Sequence, residues 1–136
     1  MEKHVSWNDK YKVGHNLIDS QHKQLFDIAD KLYEVAYEKD PYRDIDISLI
    51  LQDLARYVNY HFSCEEELMR ESNYSGIEEH CDKHSTFKTY VASLVSDFSR
   101  GNSVNMRELY NFVSSWLVEH IGSEDKKLAD CVATEK

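Results

Sequence analysis

The stretch Tyr60-His-Phe-Ser-Cys-Glu-Glu-Glu-Leu-Met69 decides how the chain folds. It continues the amphipathic pattern of Ile47–Asn59, in which apolar residues return every three or four positions as on one helix face. Where that face calls for leucines, the sequence places His61 and then Glu65. The helix therefore carries an imidazole and a carboxylate on its inward side.

The same period recurs elsewhere and predicts four helices. The first runs from about Ile18 to Tyr37, with Ile18, His22, Leu25, Ala29, Leu32 and Ala36 inward and Phe26 and Tyr33 beside them. Pro41 and its charged neighbours end it. The second runs from about Asp46 to Arg70 through Ile47, Leu51, Leu54, Val58, His61, Glu65 and Leu68. Asn73, Ser75 and Gly76 form a turn. The third starts near Ile77 and uses His80, His84, Phe87, Val91, Leu94 and Phe98, with Gly101 as its stop. The fourth starts near Asn105 and uses Met106, Leu109, Val113, Trp116 and His120. Short connections make neighbours antiparallel. The expected fold is all-α: an antiparallel up-down-up-down four-helix bundle with an N-terminal non-helical arm, in which Trp7 and Tyr11 cover one side.

Composition agrees. The chain has 136 residues, 41% hydrophobic and 30% charged, with four glycines and one proline. That length suits a single domain over residues 1–136, and so few turn residues favour long helices over a strand-rich fold. A net charge of −9 argues against a phosphate backbone or an anionic membrane as partner. No apolar run is long enough to span a bilayer, and the start lacks an apolar signal core, so a cytoplasmic location is expected. Cys64, Cys81 and Cys131 form no Cys-x-x-Cys pair, and the expectation is reduced thiols.

Five histidines fall on the apolar stripes: His22, His61, His80, His84 and His120. Glu65 joins them. His61–Glu65 and His80–His84 are each four apart, so each pair projects from one helix face. Asp125 follows His120 by five residues, which an ordinary helix would turn well away. The downstream apolar residues Leu128, Ala129 and Val132 nevertheless continue the stripe from Asp125. A single π-type turn near Ile121–Gly122 accounts for the slip, and such turns often mark functional sites. His4 and His15 lie off the stripes and are expected at the surface.

One buried histidine is ordinarily a core residue with a hydrogen-bonded partner. Five imidazoles and two carboxylates are different. Unpaired, they would cost several kcal/mol each, against a net stability of about 5–15 kcal/mol. A bound cation removes the difficulty. Seven ligands exceed what one zinc takes, and a nitrogen-rich set disfavours calcium and magnesium. Two ions bridged by carboxylates fit, with iron, manganese, zinc or copper open on coordination alone.

With these residues in view, the sequence resembles the hemerythrin family, in particular its bacterial branch. The matching motifs are WNDKYKVG near the start, IDSQHKQLF with His22, HFSCEEELM with His61 and Glu65, HCDKHSTF with His80 and His84, and WLVEHIGSEDKKL with His120 and Asp125. They run from Trp7 to Leu128. One departure is Asn73-Tyr-Ser-Gly76, where the family commonly has Tyr-Pro. The resemblance implies two iron ions (Fe2+/Fe3+) with a bridging oxo or hydroxo group and O2 as ligand. His80, His84 and His120 would hold one iron, His22 and His61 the other, and Glu65 and Asp125 would bridge. It implies an oxygen carrier, store or delivery protein rather than an enzyme. The alternatives are an O2- or redox-sensing input domain, with a fused or partner signalling domain at the C-terminus, and a di-iron peroxide- or NO-reducing enzyme. Phe62, Trp116, Leu117 and Ile121 are the expected O2 pocket. Tyr57, Tyr60 and Glu66 are expected on or near the surface.

Overall fold

A computed structural model of the chain describes residues 7–37 and 44–134. His4, Pro41 and both chain ends lie outside them. The described residues form α1 (Asn16–Tyr37), α2 (Asp44–Glu71), α3 (Ile77–Ser99), α4 (Met106–Glu119), a π-helical turn (His120–Asp125) and α5 (Lys126–Thr134). The four expected helices are present as an antiparallel bundle, the fourth being α4, the π-turn and α5 in succession. α1 packs against α2 and α4, and α2 packs against α3.

Local chemistry sets the helix ends. Asn105 caps α4, its side-chain oxygen accepting from the amides of Arg107 and Glu108 at 3.1 Å each. α2 and α3 both end in a Schellman motif. At the first, Asn73 has φ 52°, Tyr74 N–H donates to the Met69 carbonyl at 3.0 Å, and Asn73 N–H donates to that of Arg70 at 3.3 Å. At the second, Gly101 has φ 88°, and the amides of Asn102 and Gly101 reach the carbonyls of Asp97 and Phe98 at 3.0 Å each. Asparagine tolerates the left-handed conformation well enough to stop α2 without proline. The departure at Asn73–Gly76 therefore leaves α3 starting at Ile77, where its stripe predicts.

The N-terminal arm is more structured than its lack of period implied. Asp9–Tyr11 forms one 3₁₀ turn capped by Asn8. Asp19, buried on α1, accepts from Val13 N–H at 2.8 Å and Gly14 N–H at 3.3 Å. Trp7 and Tyr11 pack on Phe26, with ring centroids 5.7 and 4.8 Å away, so the arm does cover one side of the bundle. His15 is not a spare surface histidine. Its Nδ1 accepts from Ile18 N–H at 3.3 Å, satisfying one of the open amides at the start of α1.

The stripes bury as expected with small shifts. On α2, Met69 is fully buried while Leu68 is only half-buried. On α4, Leu117 is buried and Trp116 half-buried. None of the three cysteines forms a disulfide. Among the described residues no helix is long and apolar enough to cross a membrane.

Candidate metal centre

All seven stripe ligands meet inside the bundle. His22, His61, Glu65, His80, His84 and Asp125 are 0–1% exposed, and His120 is 3% exposed. α1 supplies His22, α2 supplies His61 and Glu65, and α3 supplies His80 and His84. His120 and Asp125 open and close the π-turn. That turn performs the expected correction of register. The wider π spacing brings the residue five positions on round toward the face of the first, and His120 Nε2 lies 2.9 Å from Asp125 Oδ1. The Ser123 hydroxyl donates to the Glu119 carbonyl at 2.9 Å, giving that carbonyl a partner within the altered turn. Beyond the turn, Leu128 and Ala129 are buried and the stripe resumes.

The geometry has two halves. Glu65 Oε2 faces His22 Nε2 at 3.4 Å and His61 Nε2 at 3.1 Å. Its other oxygen, Oε1, faces His80 Nε2 at 3.2 Å and His84 Nε2 at 3.1 Å. Asp125 divides the same way. Oδ2 lies 2.8 Å from His22 Nε2, and Oδ1 lies 3.1 Å from His80 Nε2 and 2.9 Å from His120 Nε2. Each carboxylate thus turns one oxygen toward the half containing the pair His22 and His61, and the other toward the half containing the trio His80, His84 and His120. The ligand atoms of Glu65, His80, His84, His120 and Asp125 lie within 4.8 Å of one another, as do those of His22, His61, Glu65 and Asp125.

The protein's own hydrogen bonds leave the middle of this cluster unsatisfied. His61 Nδ1 lies 2.7 Å from the amide oxygen of Gln21, and His84 Nδ1 lies 2.9 Å from a Glu66 carboxylate oxygen. These oxygens only accept, so each Nδ1 donates, and a ring with no second proton has only a lone pair to present at Nε2. Both Nε2 atoms face Glu65, where a proton or another cation must stand between nitrogen and oxygen, and both are buried with no hydrogen-bond partner. His80 Nε2 and His120 Nε2 stand 3.1 Å apart. Positive charge placed between these atoms resolves every one of these contacts, so the donor set fits metal cations.

Electrostatics agree. Burial alone would lower the pKa of His22, but hydrogen bonds to Asp125 and Glu65 outweigh it and raise it to about 9. His80 is raised to about 9 against burial by the same two carboxylates. At His120 burial prevails over the pull of Asp125, and the pKa falls. Burial pushes Glu65 upward, but the charge of His61 and bonds from His22, His61 and His80 hold it well below the ordinary carboxylate range. Asp125 is pushed up by burial and by Glu65, yet His120 and His22 hold it below its ordinary value. Both carboxylates remain anionic and demand cationic partners.

Aromatic rings press on the trio. Phe62 stacks on His84 with centroids 3.9 Å apart and an interplanar angle of 6°. Trp116 stacks on His120 at 4.0 Å and 15°. Phe62, Leu117 and Ile121 are buried to within 1% exposure. Outside the centre, Lys83 of α3 pairs with Glu124, pinning α3 to the π-turn and holding the Glu124 carboxyl low. Two residues expected on or near the surface also touch the cluster's histidines. Glu66 bonds His84, and half-buried Tyr57 lies parallel to the His61 ring at 6.4 Å. Tyr60 is 55% exposed, as expected. The stripe gave no sign of Gln21. Its one sequence signal was its place directly before a ligand histidine.

A four-helix bundle enclosing two histidine-rich groups that share two carboxylates, each able to hold a metal ion, falls in a class: the metal-binding helix bundles. Within that class, the family described as "Hemerythrin HHE cation binding domain" matches residues 13–132, and the chain belongs to the hemerythrin family. It is 30% identical over 126 residues to a bacteriohemerythrin of Clostridium acetobutylicum, covering 91% of this chain and 98% of that protein. It is 30% identical over 121 residues to a myohemerythrin of Riftia pachyptila, covering 89% and 88%. A crystal structure of wild-type hemerythrin superposes with a TM-score of 0.85 at 30% identity, covering 95% of this chain and 98% of that one.

Proposed function

We propose that this protein binds O2 reversibly at a non-haem di-iron centre and serves as an oxygen carrier, store or delivery protein. His80, His84 and His120 would hold one iron, His22 and His61 the other, and Glu65 and Asp125 would serve both. The observation that carries this reading is the division of carboxylate oxygens, one from each acid toward the trio and one toward the pair. Two ferrous ions held there would supply the two electrons that O2 takes on binding and returns on release. The half containing His22 and His61 has one protein nitrogen fewer, which leaves room for a small ligand on that side.

The surrounding residues favour binding over turnover. Leu117 and Ile121 are fully buried and apolar, and with Phe62 and Trp116 they keep water from the centre. Two side chains beside the ligand set that could carry a proton are already engaged. Tyr57 donates its hydroxyl proton to the Gln21 carbonyl at 3.1 Å, and Glu66 accepts from His84. Neither stands ready to deliver protons, and we therefore read the protein as no enzyme. Residues 1–136 act as one cytoplasmic domain whose ligand is O2, without nucleic acid or membrane as partner.

The test is metal analysis combined with an optical spectrum recorded deoxygenated, in air, and deoxygenated again. About two iron ions per chain and a visible band that appears with O2 and vanishes on its removal are expected. A band that bleaches irreversibly, with rapid consumption of peroxide or nitric oxide, would overturn the carrier reading in favour of a reductase.

A further inference from the structure

Of the five centre histidines, two have the outward ring nitrogen bonded to a side chain, and there is one in each half. In the pair, His61 Nδ1 meets Gln21 Oε1 at 2.7 Å. In the trio, His84 Nδ1 meets Glu66 Oε2 at 2.9 Å. The Nδ1 atoms of His22, His80 and His120 are buried without a hydrogen-bond partner. The two acceptors differ in charge: Gln21 is a neutral amide and Glu66 a carboxylate. A carboxylate draws the Nδ1 proton more strongly than an amide and makes the opposite nitrogen the better donor to a metal.

Gln21 is placed with some care. It is 4% exposed, and its main-chain carbonyl accepts the Tyr57 hydroxyl at 3.1 Å. Tyr57 in turn lies within 2° of parallel to the His61 ring. The amide nitrogen of Gln21 is buried with no partner, a penalty that leucine or methionine would not carry at this position. The bond from Gln21 Oε1 to His61 is what the glutamine gains in return.

We propose that Gln21 and Glu66 are positioning residues that make the two metal sites unequal, Gln21 fixing His61 through a neutral acceptor and Glu66 strengthening His84 through an anionic one. This rests on the dinuclear reading above. The half with fewer histidines is then also the half with the weaker outer support. The trio fills first, and the pair remains the more weakly held site.

The experiment is an anaerobic titration of metal-free protein with ferrous ion alone, followed by calorimetry. The native chain should take two ions in two unequal steps. Gln21→Leu should weaken the second step by about 10–100-fold and leave the first in place, and Glu66→Leu should weaken the first by a similar factor. Gln21→Glu, which keeps an acceptor for His61, should restore the second step to native strength or better. Two native-strength steps in both leucine variants would overturn the proposal while leaving the dinuclear centre standing. So would a loss shared equally between the steps with a lower melting temperature of the metal-free form, the mark of a packing defect. A native chain that takes fewer than two ions would overturn the dinuclear reading and this inference with it.

Discussion

Without metal, the centre must be held together by protons, and this makes the stability of the stripped protein fall on the alkaline side. His22 and His80 rise from 6.5 to about 9, so the folded state binds their protons more tightly than the unfolded chain. A raised histidine contributes stability that is complete below the unfolded value of 6.5 and is lost as the pH climbs through about 9. Each shift corresponds to about 3 kcal/mol. Both protons sit against the same two carboxylates, so the total lies between about 3 kcal/mol and about twice that, a large part of a typical net stability of about 5–15 kcal/mol. His120 works in the opposite direction. Its pKa is lowered, so its contribution is complete above 6.5 and is lost toward acid. Glu65 and Asp125, both held low, also lose theirs toward acid. Stability of the stripped form should therefore peak near pH 6.5. The assay is urea unfolding in the presence of a chelator at pH values across this window, followed by fluorescence of Trp7 and Trp116. The metal-loaded protein should show no alkaline fall, because cations have replaced the protons, and should come apart in acid as protons compete for the ligands. A stripped protein equally stable on both sides of the window would refute the shared-proton account of the cluster.

Three further outcomes follow from single contacts. Leu117→Ala opens a void beside the centre and should speed autoxidation of the oxygenated form; an unchanged rate of loss of the oxygenated band would remove Leu117 from the barrier. Asp19→Ala strips the acceptor from the Val13 and Gly14 amides and should cost about 1–3 kcal/mol, with Trp7 fluorescence shifting toward that of a solvated indole as the arm loosens. Asn105→Ala removes the cap of α4 and should cost about 1 kcal/mol in urea unfolding, without altering the number of metal ions bound.

Much of this arrangement is legible from residue spacing because metal ligands must lie on the same inward stripe as the core. His22, His80 and His84 replace apolar residues at helical period, so the pattern that finds the helices also finds the residues that meet in the centre. What the pattern misses is whatever supports that stripe from outside it. Glu66 follows a ligand and sits one position off the face, where any glutamate would be taken as solvated. Gln21 precedes a ligand and reaches across to a different helix. Asp19 and His15 act on backbone amides of the arm and of the first turn of α1, contacts that side-chain periodicity does not encode.

The π-turn shows why one irregular feature was legible all the same. A run of α-helix from Trp116 to Leu128 can place His120 or Asp125 on the core face, but not both. The sequence commits to both, and it also resumes Leu128 and Ala129 in the phase of Asp125. Two independent demands, one for a ligand and one for core packing, call for the same extra residue in the same turn. A helical defect with only one such demand would have looked like a misplaced polar residue. The carboxylate that closes the turn has, like Glu65, its two oxygens facing opposite halves of the centre, so the irregular backbone is what joins α4 to both halves at once.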